Sequence, residues 1–216
     1  TPDEVVAKLK IDLNKPVVLF TQHSVTTEFD RAAEQITPSL NALEDLAKSG
    51  VQIIATYPNN DAGGLSIINK LKVLDARSID SIQVHRSLGR YLYHGLLALA
   101  QNKNNRVMCV GNSSSGIKET PAFGCPTVNI GSRQKGRLRG QNVIDVDYKK
   151  ESIIDAITGC IEDKDFRKKC AETHNPYYIG GAGKKIAEVL AEVTLDRKLI
   201  RKQMTLKGES KTGWYR

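Results

Sequence analysis

Short runs of β-branched and apolar residues alternate along this chain with segments of helical period, and that alternation leaves few folds open. Val17–Phe20, Val51–Ala55, Ile82–Val84, Val107–Val110, Thr127–Ile130 and Val143–Val146 read as strands. Between them, 27–48, 65–74 and 88–100 carry helical spacing, and Gly50 ends the first. A short helix after Gly116 stops at Gly124 and Pro126, and two more are expected over 149–161 and 182–193. Strands apolar on both faces and joined by crossover helices build a parallel sheet covered on both sides. The expected fold class is therefore α/β, a doubly wound, Rossmann-like parallel sheet over residues 1–195, followed by a basic tail over 196–216.

Composition removes several other classes. With 216 residues, 40% of them hydrophobic and 26% charged, the chain can bury a core and is neither disordered nor fibrous. No apolar run approaches the roughly 18 residues of a membrane span, and no secretory leader precedes the first strand, so a cytoplasmic protein without a membrane partner is expected. The four cysteines, Cys109, Cys125, Cys160 and Cys170, form no C-x-x-C pair and read as small core residues, with no metal site implied. The net charge of +8 suits phosphorylated ligands, polyanions or plain solubility, and it concentrates after Arg197, where Trp214 and Tyr215 end the basic tail. Because the chain opens on Thr1, a fragment or a processed protein is the expectation.

A parallel sheet binds ligands beyond the carboxyl ends of its strands, so the residues directly after each run are the candidates. They are Thr21-Gln22-His23-Ser24, the loop Pro58 to Gly64, His85-Arg86-Ser87, Gly111-Asn112-Ser113-Ser114-Ser115-Gly116 and Gly131-Ser132-Arg133-Gln134, all expected on one rim. The fourth loop is the most informative. Its glycines let backbone approach a ligand, and the N–H groups of a helix start attract an anion, with the Ser113 and Ser114 hydroxyls as further donors. The same serines could serve only as helix caps.

Glu119 stands four residues beyond Ser115 on the same helix face, where a carboxylate can accept from both hydroxyls of a ribose or, alternatively, reach back to cap its own helix. Arg133 can hold a diphosphate with its guanidinium fork or remain a solvated surface residue. His23 is a candidate donor to phosphate or proton-transfer group, and equally a hydrogen-bonded structural histidine. The main chain at His85 could meet a base. Asp61 is expected to cap the helix that follows it. His94 and His174 read as structural, and the loop from Asn175 to Gly183 could approach the same crevice.

Taken in order, Thr21-Gln22-His23, Pro58-Asn59-Asn60-Asp61-Ala62-Gly63, Gly111 to Glu119, Ala122 to Gln134 and Asn175-Pro176-Tyr177 closely resemble the C-terminal domain of UDP-N-acetylglucosamine 2-epimerases, the hydrolysing branch above all. The resemblance implies one half of a two-Rossmann-domain, glycosyltransferase-like (GT-B) architecture. It also implies UDP-N-acetylglucosamine or UDP as ligand, a missing N-terminal domain as partner, possible homo-oligomers, and no metal or redox cofactor. By the same resemblance Ser113, Ser114 and the helix start hold the diphosphate, with Ser115 among the binding residues, Glu119 holds the ribose and Arg133 the phosphates. His23 meets the diphosphate or the reaction centre, and uracil meets the main chain at His85 and Arg86. The implied reaction eliminates UDP across C1 and C2 and then hydrates the glycal to N-acetylmannosamine, a sialic acid precursor. Tyr178-Ile179-Gly180, where many members read Gly-Asp-Gly, is a departure. The alternatives are a glycosyltransferase domain that passes the sugar to an acceptor and, against the absence of any recognised motif, a nucleic-acid-binding module.

Overall fold

The computed structural model describes residues 1–178 and 180–197, so the expected basic tail falls outside the described residues except for Asp196 and Arg197. Residues Thr1–Tyr177 form one compact unit and a second begins at Tyr178.

The first unit holds six parallel strands, β1 (Val17–Thr21), β2 (Gln52–Thr56), β3 (Ile82–His85), β4 (Val107–Gly111), β5 (Thr127–Ile130) and β6 (Val143–Val146), in the order β3-β2-β1-β4-β5-β6. This is the doubly wound, Rossmann-like arrangement. All five residues of β1 are buried because successive side chains enter opposite layers. Val18 and Phe20 pack with the apolar faces of α2 (Ala32–Lys48), α3 (Gly64–Asp75) and α6 (Lys150–Glu162). Val17 and Leu19 pack on the other side with α1 (Pro2–Leu9) and α4 (Gly89–Ala98). Phe20 is fully buried, and replacing such a side chain with alanine costs about 3–5 kcal/mol.

The remaining helices of this unit are α5 (Ser115–Lys118) and α7 (Lys164–Ala171); α8 (Ala182–Glu192) belongs to the second unit. All four cysteines are buried and unbridged. No helix among the described residues is long and apolar enough to cross a membrane.

Some expectations need correction. The segment from Thr27 to Lys48 is not one helix: a 3-10 stretch over Thr26–Arg31 with a non-helical Glu28 precedes α2, and Gln35 Nε2 donates to Glu28 Oε2 at 2.6 Å across the junction. The helix expected from Leu88 to Ala100 ends at Ala98 and continues as a 3-10 turn. Asp61 does not cap α3. Gly63 occupies that position, and the Asp61 carboxylate turns instead toward Asn59 and Arg133.

Candidate functional site

β1 and β4 are neighbours at the point where the strand order reverses, so the chain leaves them in opposite directions and a crevice opens beyond their carboxyl ends. Gly111 ends β4 beside Thr21 with φ of 127°, and a β carbon there would lie 2.0 Å from the Thr21 carbonyl oxygen. Only glycine fits so close an approach in that conformation.

Asn112 follows and is 1% exposed. Its Oδ1 accepts from the His23 N–H at 2.6 Å, and its Nδ2 donates to the His23 carbonyl at 2.8 Å. Its own N–H donates to Thr21 O at 3.1 Å, while its carbonyl accepts from Gln134 Nε2 at 2.7 Å and from the Arg133 guanidinium at 3.2 Å. A side chain so fully paired welds the loops after β1, β4 and β5 into one piece.

His23 Nδ1 accepts from the Asn59 N–H at 2.9 Å, so a neutral ring carries its proton on Nε2. Burial first, and the positive charge of Arg133 second, hold the imidazole pKa down at about 4. At neutral pH His23 is therefore an uncharged N–H donor, suited to an oxygen of the ligand and not to taking a proton at Nε2. Arg133 in turn faces Asp61 at 3.6 Å.

His23, Arg86, Ser113, Ser115 and Glu119 line one open cleft of about 470 Å³. Thr21 and Thr56, paired through their hydroxyls at 2.6 Å, belong to the same lining. Glu119 Oε2 accepts from Ser115 Oγ at 3.1 Å and pairs with His94 Nε2 at 2.8 Å. A carboxylate offers about four lone-pair sites, so two such contacts leave room for a vicinal diol. Glu119 lies just past the end of α5, which rules out the N-terminal capping role considered for it.

The other candidates stand elsewhere. Ser114 is not part of the cleft lining; its carbonyl accepts from the Ile117 and Lys118 N–H groups. The His85 ring pairs with Gln83 Oε1 at 3.2 Å and is also outside the lining. α5 spans four residues before a 3-10 turn over Thr120–Phe123, so its dipole is short and attraction for an anion comes from local N–H groups. Asn175 Nδ2 donates to Lys118 O at 2.9 Å, which puts its loop beside the end of α5.

His94 is the residue that sequence reasoning missed. The available signal is its spacing: Arg90, Tyr93 and His94 share one face of a helix that starts directly after the β3 loop, and all three line the cleft.

The sequence model of the UDP-N-acetylglucosamine 2-epimerase family matches residues 2–191. The chain belongs to that family. It is 33% identical over 160 residues to a GDP/UDP-N,N'-diacetylbacillosamine 2-epimerase (hydrolyzing) from Campylobacter jejuni, which covers 74% of this chain and 39% of that protein. It is 38% identical over 135 residues to the UDP-N-acetylglucosamine 2-epimerase of Neisseria meningitidis, covering 62% of this chain and 33% of that one. The chain thus spans between a third and two fifths of the length of these two relatives. Among solved structures, the Neisseria meningitidis epimerase bound to UDP-GlcNAc superposes with a TM-score of 0.68 at 21% identity, over 88% of this chain and 49% of that one. At that identity the epimerase structure establishes a shared fold.

Proposed function

We propose that this chain is the UDP-binding half of a hydrolysing 2-epimerase acting on a UDP-linked N-acetylated sugar. The observation that carries the reading is the meeting of Glu119, Ser113, Ser115, Arg86 and His23 in one cleft at the reversal point of the sheet. The cleft offers hydroxyl, N–H and guanidinium donors for a diphosphate and a fixed carboxylate for a ribose diol.

In this reading His23 donates Nε2–H to a diphosphate oxygen and so stabilises the charge that develops as UDP leaves C1. Burial first, and the charge of Arg133 behind it second, keep the ring neutral. Ser113 and Ser115 hold the phosphates, and the main chain at His85 and Arg86 faces the base. Elimination across C1 and C2 and hydration of the glycal also need groups that move the C2 proton and activate water. Glu119 is the one acid lining the cleft among the described residues, and it is engaged by His94 and Ser115. The reading therefore takes those groups from a facing domain. The names of relatives point to 2-acetamido sugars as the class, including diacetylated ones.

Titration calorimetry with UDP and with pyrophosphate tests the ribose assignment. Glu119→Ala is expected to weaken UDP about tenfold, the value of a lost hydrogen bond to a charged group, and to leave pyrophosphate unchanged. Equal losses for both ligands, or none, overturn it.

A further inference from the structure

The strand ends opposite the cleft hold a second cavity, of about 440 Å³, lined by Lys103, Lys164, Arg167 and Lys168 over an apolar floor that includes Val107 and Pro126. Val107 opens β4 and Gly111 closes it, so roughly 13 Å of extended strand separates this cavity from the cleft.

The cations are held there by the fold. Lys164, Arg167, Lys168 and Ala171 fall at i, i+3, i+4 and i+7 of α7 and form one helix face, all four of them on the cavity. Arg167 is fixed by donating to the Lys103 carbonyl at 2.6 Å and the Asn105 carbonyl at 2.8 Å, which draws the turn between α4 and β4 against the helix. Among the described residues no acid lines the cavity.

Like many other basic residues of the described chain, Lys103, Lys164, Arg167 and Lys168 take no part in the ion pairs that hold Arg31, Lys48, Arg77, Arg133, Arg139, Lys149, Lys150 and Lys184; what sets them apart is that one cavity gathers them. Arg167 also carries a depressed pKa, first from burial and then from the neighbouring charge of Arg106. Three exposed lysines gathered around a partly buried arginine over an apolar floor are an arrangement that a multiply charged anion relieves.

We propose that this cavity is a second ligand site, taking a small phosphorylated molecule whose phosphate or diphosphate meets Lys103, Lys164, Arg167 and Lys168 and whose less polar part lies over Val107 and Pro126. The volume is in the range of small-molecule sites. It does not depend on what the cleft binds.

The test is calorimetric titration of pyrophosphate into the whole chain at low salt, with UDP present throughout at saturating concentration to occupy the cleft. The wild type is expected to bind, the Lys164→Gln/Lys168→Gln double variant to bind at least about tenfold more weakly, and the Lys70→Gln/Lys72→Gln variant on α3, with the same loss of charge, to match the wild type. No binding in the wild type overturns the proposal. So does equal binding by all three proteins, or an equal loss in both variants, which would reflect net charge alone. Unfolding midpoints of the variants, measured without ligand, separate a lost site from a lost fold.

Discussion

The two rims of the same sheet solve opposite electrostatic problems. At the carboxyl ends the polar groups are spent on one another: Asn112 on His23, Gln134 and Arg133 on Asn112, Ser115 and His94 on Glu119. At the amino ends Lys103, Lys164, Arg167 and Lys168 share a cavity that no acid among the described residues lines. The first rim is set in place before any ligand arrives, and little reorganisation is left for binding to cause. The second holds charge in reserve, so a ligand there would supply the counter-charge itself. Preorganised donors favour geometric selectivity, whereas gathered cations favour affinity that falls with salt.

The largest way to break this contrast is at a glycine on each rim. Gly111→Ala drives a β carbon to 2.0 Å from the Thr21 carbonyl in left-handed backbone, and the rigid strand pair cannot yield without moving Asn112. A loss of about 3 kcal/mol or more in urea unfolding is expected, together with loss of UDP binding. Gly124→Ala, beside Ala171 at the other rim, brings its β carbon to 2.9 Å from the Ala171 α carbon in left-handed backbone, a milder clash than the 2.0 Å at Gly111. About 1–2 kcal/mol is expected there. Comparable losses at both positions would remove the difference in rigidity.

Acid sharpens the contrast next. The folded-state pKa of His23 is lowered from 6.5 to about 4, so below 6.5 the unfolded chain takes up the proton more readily than the folded one. The contribution of the neutral ring is complete above pH 6.5 and is lost as the pH falls through about 4. Its full size is on the order of 2–3 kcal/mol. Unfolding free energies of wild type and His23→Gln, compared between pH 7 and pH 4.5, should converge as the pH falls; a constant gap would mean that the folded and unfolded chains take up the proton equally, with no lowering of the His23 pKa on folding.

Much of the first rim was legible beforehand because strand ends and glycine-flanked serines are local signals. The six strands, the loops after them and the convergence of His23, Ser113 and Glu119 follow from hydrophobic runs and from the rule that parallel sheets bind at their carboxyl ends. Side-chain direction did not follow. Ser114 and Ser115 are adjacent in sequence, yet only Ser115 lines the cleft, because one residue of a helix turn rotates a side chain by about 100°. α1 carries a local start signal, the Thr1–Glu4 capping box with Pro2 at the first helical position, which lies outside the strand-and-crossover pattern. α7 had almost nothing to read: only Cys170 is buried, so no apolar stripe marks it, and its polar face matters through a cavity that forms only in the fold.

His94 gives the smallest and most discriminating effect. Its Nε2 and Ser115 Oγ both meet Glu119 Oε2, so removing one leaves the carboxylate held by the other. The side chains of His94 and Glu119 are 40% and 43% exposed, and water screens a pair of that kind to about 0.2–1 kcal/mol. His94→Ala should therefore weaken UDP only about two- to fivefold, leave pyrophosphate untouched, and be largely restored by His94→Gln, whose amide can still donate. A loss as large as that of Glu119→Ala would place His94 in direct contact with the ligand. In that event the two acceptor positions assigned to the ribose on Glu119 would have to be shared with the imidazole, and the carboxylate would no longer be a preset group in the sense that distinguishes this rim from the other.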